Sequence, residues 1–127
     1  MTDQEGQALV EFALVLPIIC LVMLLVVTVG EIARDRIVLE HAASEGARNG
    51  SFNNDDLQIR QAVAATVRPL DPARVTVTIE PDRAVRTRRS LLTVRLAYRE
   101  PLALAFVGMP DLVVRSSATR MIERDAP

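Results

Sequence analysis

The chain of 127 residues predicts an α+β protein built on a long N-terminal helix, and three observations carry that expectation. An almost uninterrupted apolar run fills Phe12–Val29, helical spacing of apolar residues continues beyond it, and strict alternation takes over after residue 74. Half of all residues are apolar, while aromatics make up only 3% and Trp is absent. The mean hydropathy of +0.22 therefore comes from an aliphatic segment gathered at one end, which a small soluble core does not need.

That segment comes first. From Ala8 to Val29 the only ionisable side chains are Glu11 and Cys20. As a helix, Leu9–Val29 covers roughly 30 Å, the thickness of a bilayer core. A buried helix in a domain this small keeps a polar face, and this one has none. It reads as a membrane span. The parts of a cleaved secretory signal are missing, since no Lys or Arg precedes the run and no small-x-small site follows it. Cys20 follows Ile18 and Ile19 rather than a small residue, so it reads as a membrane-facing or packing residue. Pro17 withdraws one backbone donor opposite the Ala13 carbonyl, which predicts a modest kink.

Beyond the span, Ile32, Ala33, Ile37, Leu39, Ala42, Ala43 and Ala47 recur at approximate helical spacing among charged residues. One helix is expected from about Gln7 to Asn49, ended by Asn49-Gly50-Ser51. Asn53-Asn54-Asp55-Asp56 then offers an N-cap and acidic first-turn residues. Ile59, Val63 and Val67 follow at four-residue spacing, a short amphipathic helix ending before Pro69. Val75–Glu80 alternates strictly and predicts a strand. A second strand is expected where Leu92, Val94, Leu96 and Tyr98 alternate with Thr93, Arg95, Ala97 and Arg99. Leu112–Glu123 is a weaker third, blurred by Ser116, Ser117 and Thr119. Three antiparallel strands with a helix across one face make a small α+β head. The expected divisions are thus residues 1–6, 7–50 and 51–127.

Two connections stand out. Asp82–Ser90 carries Arg83, Arg86, Arg88 and Arg89 and reads as a solvated hairpin tip; the sharper alternative is contact with an acidic partner or lipid headgroups. Between Pro101 and Pro110, Leu102–Val107 is apolar and is expected to pack over the sheet, or else to face a neighbouring subunit.

Composition excludes several functions. All 15 basic residues are Arg and face 16 acids, so no net positive field exists to capture nucleic acid. One Cys excludes an internal disulfide and any multi-Cys metal site. His41 and Glu45 share a helical face, but two ligands without a third do not make a metal site, and a helix-surface bond is the simpler reading. Ser44, Ser51 and Ser90 lack a nucleophile's context, and no Gly-rich phosphate loop is present. Neither enzyme activity nor a cofactor is expected.

The most informative constellation is Gly6-Gln7-Ala8-Leu9-Val10-Glu11-Phe12. A Gly, four residues, a Glu and an apolar helix form the recognition pattern of prepilin peptidases. Gly leaves room for a protease at the scissile bond, an extended leader precedes a membrane-positioned helix, and a carboxylate in an apolar segment demands a functional reason. The longer run Gly6–Pro17, GQALVEFALVLP, resembles the start of TadE-like pseudopilins of tight-adherence (Flp-type) pilus systems. Ala42-Ala43-Ser44-Glu45-Gly46-Ala47-Arg48 resembles that family's AAxEGAR pattern, with Gly30 at the small position between. The resemblance spans Gly6–Arg48, about a third of the chain.

It implies a minor pilin or pseudopilin in the cytoplasmic membrane, cleaved between Gly6 and Gln7 by a prepilin peptidase. Glu11, with Phe12 beside it, would serve assembly with other pilin subunits from the fifth mature position. Asp3 and Glu5 replace the usual basic leader residues, and Arg34, Arg36 and Arg48 follow the span. The positive-inside rule alone would favour the opposite orientation. The motif outweighs three Arg that share their helix with four acids, so the head is expected outside the cytoplasm. Two rivals remain: a membrane-anchored scaffold that never enters a fibre, and a secreted protein cut by ordinary signal peptidase.

Overall fold

The computed structural model describes residues 3–102 and 108–125. Helix α1 spans Asp3–Asn53 and α2 spans Asp56–Thr66; the strands are β1 (Val75–Glu80), β2 (Leu91–Glu100) and β3 (Leu112–Met121). The class is the α+β expected from the sequence. The chain divides into two compact units, residues 1–31 and 32–127.

The first unit is helix alone. It starts at Asp3, before the expected Gln7, so residues 3–6 are helical rather than extended. Asp3 and Glu5 lie in the first turn, where the positive end of the helix dipole favours acids. Pro17 lies inside the unbroken helix. Leu9, Phe12, Leu14, Ile18, Leu21 and Met23 are each at least 60% exposed. Thr28 stays compatible with such surroundings because its hydroxyl donates to the Leu24 carbonyl of its own helix at 2.8 Å.

The second unit folds the rest of α1, from Ile32, with α2 and the sheet. The strand order is β1-β2-β3, both pairings antiparallel, with Val75 opposite Tyr98 and Tyr98 opposite Val114. Period two then decides the faces. Leu92, Val94, Leu96 and Tyr98 point inward with Val114, while Thr76, Thr78, Arg95 and Arg115 take the other face. Leu39, Ala42, Ala43 and Ala47 of α1, with Ile59 and Val63 of α2, complete the core.

The helix ends later than expected because Gly50 is a packing residue, not a stop. A Cβ there would lie 2.7 Å from Ile59 Cδ1 and would also collide with Leu92 Cδ2. One turn earlier, a Cβ on Gly46 would meet Val63 Cγ2 at 2.7 Å. Termination falls instead to Asn54, which adopts a positive φ of 49° while its N–H reaches back to the Gly50 carbonyl at 2.9 Å. Asp55 then caps α2 by accepting from the Leu57 N–H at 3.2 Å. The third strand stops at Met121, two residues before the expected Glu123. The apolar connection expected to cover the sheet, Leu102–Val107, falls outside the described residues from Ala103 onward.

The packing at Gly50 sets two effects against each other. Helix propensity alone favours Ala over Gly by about 1 kcal/mol. Overpacking a closed core costs about 1–3 kcal/mol, and Leu92 and Ile59 are both fully buried. Gly50→Ala should therefore lower stability by about 1 kcal/mol net, moving the thermal midpoint of a unit this size down by about 4–8 °C. Melting followed by circular dichroism gives the answer; an unchanged or higher midpoint would show that the two side chains can retreat.

Candidate functional site

The residues singled out from the sequence lie on one short stretch of α1. Gly6 has nothing within 4 Å of the position a Cβ would take, so the fold itself makes no demand for glycine there. This is the reverse of Gly46 and Gly50. Gln7 donates from Nε2 to Glu11 Oε1 at 3.4 Å, one helical turn away. Glu11 and Phe12 are exposed, and so is Cys20. A carboxylate whose only recorded partner among the described residues is a long bond from a neutral amide is poorly satisfied in an apolar segment.

Charge in the second unit is arranged differently. Arg34 meets Asp35 at 3.1 Å, Arg36 meets Glu40 at 3.3 Å, and Arg48 meets Glu45 at 3.8 Å. Each of the three Arg that follow the apolar stretch thus has a carboxylate on its own helix. Glu45 turns to Arg48 rather than to His41. Among the described residues no group of three His, Cys, Asp or Glu side chains is placed to hold a metal ion. Burial, then the Glu100 and Asp35 carboxylates, pushes the Tyr98 phenol above its ordinary value of 10.0, with Arg74 opposing them.

One of the four Arg in the Asp82–Ser90 connection does not behave as a hairpin tip. The Arg86 side chain is wholly buried, where a solvated residue was expected. It pairs with Asp56, donates from Nε to the Pro81 carbonyl at 2.8 Å, and reaches Asn54 Oδ1 at 3.5 Å. These contacts join the start of α2 to the end of β1. Arg83 follows the same direction, meeting Asp55 at 3.7 Å. Nothing in the local sequence separates Arg86 from Arg88 and Arg89; only the acids of the α1–α2 turn, some thirty positions earlier, distinguish it.

Residues 6–48 match the model of a family described as TadE-like protein. The matched stretch begins at Gly6 and ends at Arg48, so it holds both the Gly6–Glu11 spacing and the small-residue seam Ala42–Ala47. No curated protein and no solved structure matches the chain.

Removing Arg86 tests whether its contacts are structural. Breaking a buried pair from one side costs about 3–5 kcal/mol. Asp56 retains 34% exposure and can recover some hydration, which places Arg86→Met near the lower end of that range. Chemical denaturation of the purified chain should show this loss. A change below about 1 kcal/mol, the usual value of a surface pair, would mean that the connection behaves as a solvated loop after all.

Proposed function

We propose that this chain is a non-enzymatic structural subunit, a minor pilin or pseudopilin of a tight-adherence pilus, anchored in the cytoplasmic membrane by the first part of α1. The observation that carries the reading is Gly6. It weakens a helix by up to about 1 kcal/mol relative to Ala, no side chain packs at the place of its missing Cβ, and it stands five positions before Glu11, which accepts a long bond from Gln7. A demand from outside the fold accounts for both residues, and the TadE-like match begins at that glycine.

The outside agent is a prepilin peptidase. Water adds across the Gly6–Gln7 peptide bond, leaving a carboxylate on Gly6 and a free amine on Gln7. That amine is the cation Glu11 lacks. In a bundle of subunits, the Gln7 amine of one chain and Glu11 of a neighbour compensate each other, fixing axial register more than adding affinity, because desolvation offsets much of their attraction. Phe12 supplies apolar contact beside this pair. The partners are the peptidase, other pilin and pseudopilin subunits and the lipid bilayer, with no nucleic acid and no cofactor.

An orientation with residues beyond Gly30 outside the cytoplasm is supported by the pairing of Arg34, Arg36 and Arg48 with Asp35, Glu40 and Glu45. Three Arg that each meet a carboxylate carry a smaller penalty for crossing than three isolated ones. The second unit also holds its own core, as a domain working in water requires.

Intact-mass measurement of membrane-extracted protein tests the processing. With an active peptidase the chain should begin at Gln7, and Gly6→Val should leave it at full length by crowding the scissile bond. A wild-type chain starting at Met1 or Thr2 would favour the anchored scaffold, and a start beyond Gly30 the secreted protein.

Orientation has its own measurement. A reporter active only outside the cytoplasm, fused after Pro127, should be active in the wild-type background. Activity confined to a cytoplasmic reporter would give the positive-inside rule precedence and remove the pilin reading.

A further inference from the structure

We propose that the free edge of β3 is a docking site for an extended acidic polypeptide strand from another protein. The site is separate from the Gly6–Glu11 stretch and stands whether or not the chain is cleaved. β3 is an unbroken ten-residue strand without proline, and its recorded pairing is with β2 alone. The Ile122 N–H donates to the Ser90 carbonyl at 2.9 Å, which sets the phase of the ladder. Even-numbered residues of β3 bond to β2, so the N–H and C=O groups of Val113, Arg115, Ser117 and Thr119 face outward. The Met121 carbonyl, in the same phase, is taken by the Ser51 hydroxyl at 2.7 Å, which closes the far end of the edge.

The opposite edge is treated differently. In the same phase the Val77 carbonyl of β1 faces outward, and there Arg60 of α2 donates to it at 3.3 Å. β1 is also shorter, at six residues, and is followed at once by Pro81. One edge is thus obstructed, while among the described residues the other offers a row of unused donors and acceptors. Such an edge is a template for an added strand.

Charge selects the occupant. Arg36 and Glu40 of α1, Arg115 and Ser117 of β3, and Arg95 and Thr78 from the outer sheet face line one open depression of about 770 Å³ along this strand. Of the three guanidiniums in its lining, Arg36 already meets Glu40 and Arg95 meets Glu80 at 3.2 Å, whereas no ion pair is recorded for Arg115 among the described residues, so Arg115 is the cation left for an incoming carboxylate. Guanidiniums alone would suit any anion. The alternating backbone groups beside them suit another strand, and a strand bearing carboxylates satisfies both. A second copy related by a twofold axis would instead set the same cations against each other.

The test uses the full chain in detergent micelles and two eight-residue peptides, one alternating Thr with Glu and the other Thr with Lys. Amide hydrogen exchange should slow by about tenfold at Val113, Arg115, Ser117 and Thr119 with the Glu peptide, with no change at Val75, Val77 and Ile79. The Lys peptide should have no effect. Reversing two exposed charges, Arg36→Glu with Arg115→Glu, should weaken the Glu peptide by about tenfold and let the Lys peptide bind. Thr119→Pro removes an outward N–H and no ladder bond, so it should shorten the protected stretch with the charges intact. Four results would each overturn the proposal: failure of both peptides to bind, equal binding of the two, binding without edge protection, or protection that rises with protein concentration in the absence of peptide.

Discussion

The second unit depends on how closely α1 can approach its neighbours. Ala42, Ala43, Gly46, Ala47 and Gly50 form a seam of small side chains on the helix face turned to the core. Each removes bulk where Leu92 and Val94 of the sheet, and Ile59 and Val63 of α2, press against the helix. Larger residues at these positions would lift the helix and open voids among side chains that are now fully buried, and interiors at crystal-like density do not tolerate such voids cheaply. The seam also settles the helix terminus. Because Gly50 must stay in the packed face, the turn is deferred to Asn54, and α2 starts where Asp55 can cap it.

The first unit obeys the opposite logic. Its large aliphatic side chains, from Leu9 to Val29, are exposed. Water is an unfavourable neighbour for that surface at about 25 cal/mol for each Å², so lipid or other helices must supply the environment. In such surroundings each polar group needs a local answer. Thr28 has one in the Leu24 carbonyl, whereas among the described residues Glu11 has the long bond from Gln7.

Arginine, the sole strongly basic residue type in the chain, serves three purposes. On α1 it neutralises neighbouring acids within one or two turns. At Arg86 its planar fork reaches Asp56, the Pro81 carbonyl and Asn54 together, a task for which a Lys ammonium has the wrong shape. On the outer sheet face, Arg95 meets Glu80 across the strands, while Arg115 lies beside a strand edge with no further strand paired to it among the described residues. The number of arginines is common to all three; burial and the partners within reach decide which role each one has.

Much of this was legible in the residues themselves. The long apolar helix follows from eighteen consecutive positions with one hydroxyl and no charge, and β1 follows from an alternation that the structure keeps from Val75 to Glu80. The placement of Gly6 and Glu11 was legible too, because both lie on one helix and their spacing along it is fixed by the sequence directly. Long-range contact decided the rest. Gly50 reads locally as a helix stop and becomes a packing residue only because Leu92, forty-two positions later, occupies the space a side chain would need. Arg86 reads as one of four equivalent loop cations and is buried because a carboxylate from the α1–α2 turn meets it there. The open edge of β3 belongs to the same class, since a strand's sequence carries its faces but not the number of its neighbours. Local propensity and period are properties of adjacent residues, whereas close approach, ion pairing and sheet order depend on which distant segments the folded chain brings together.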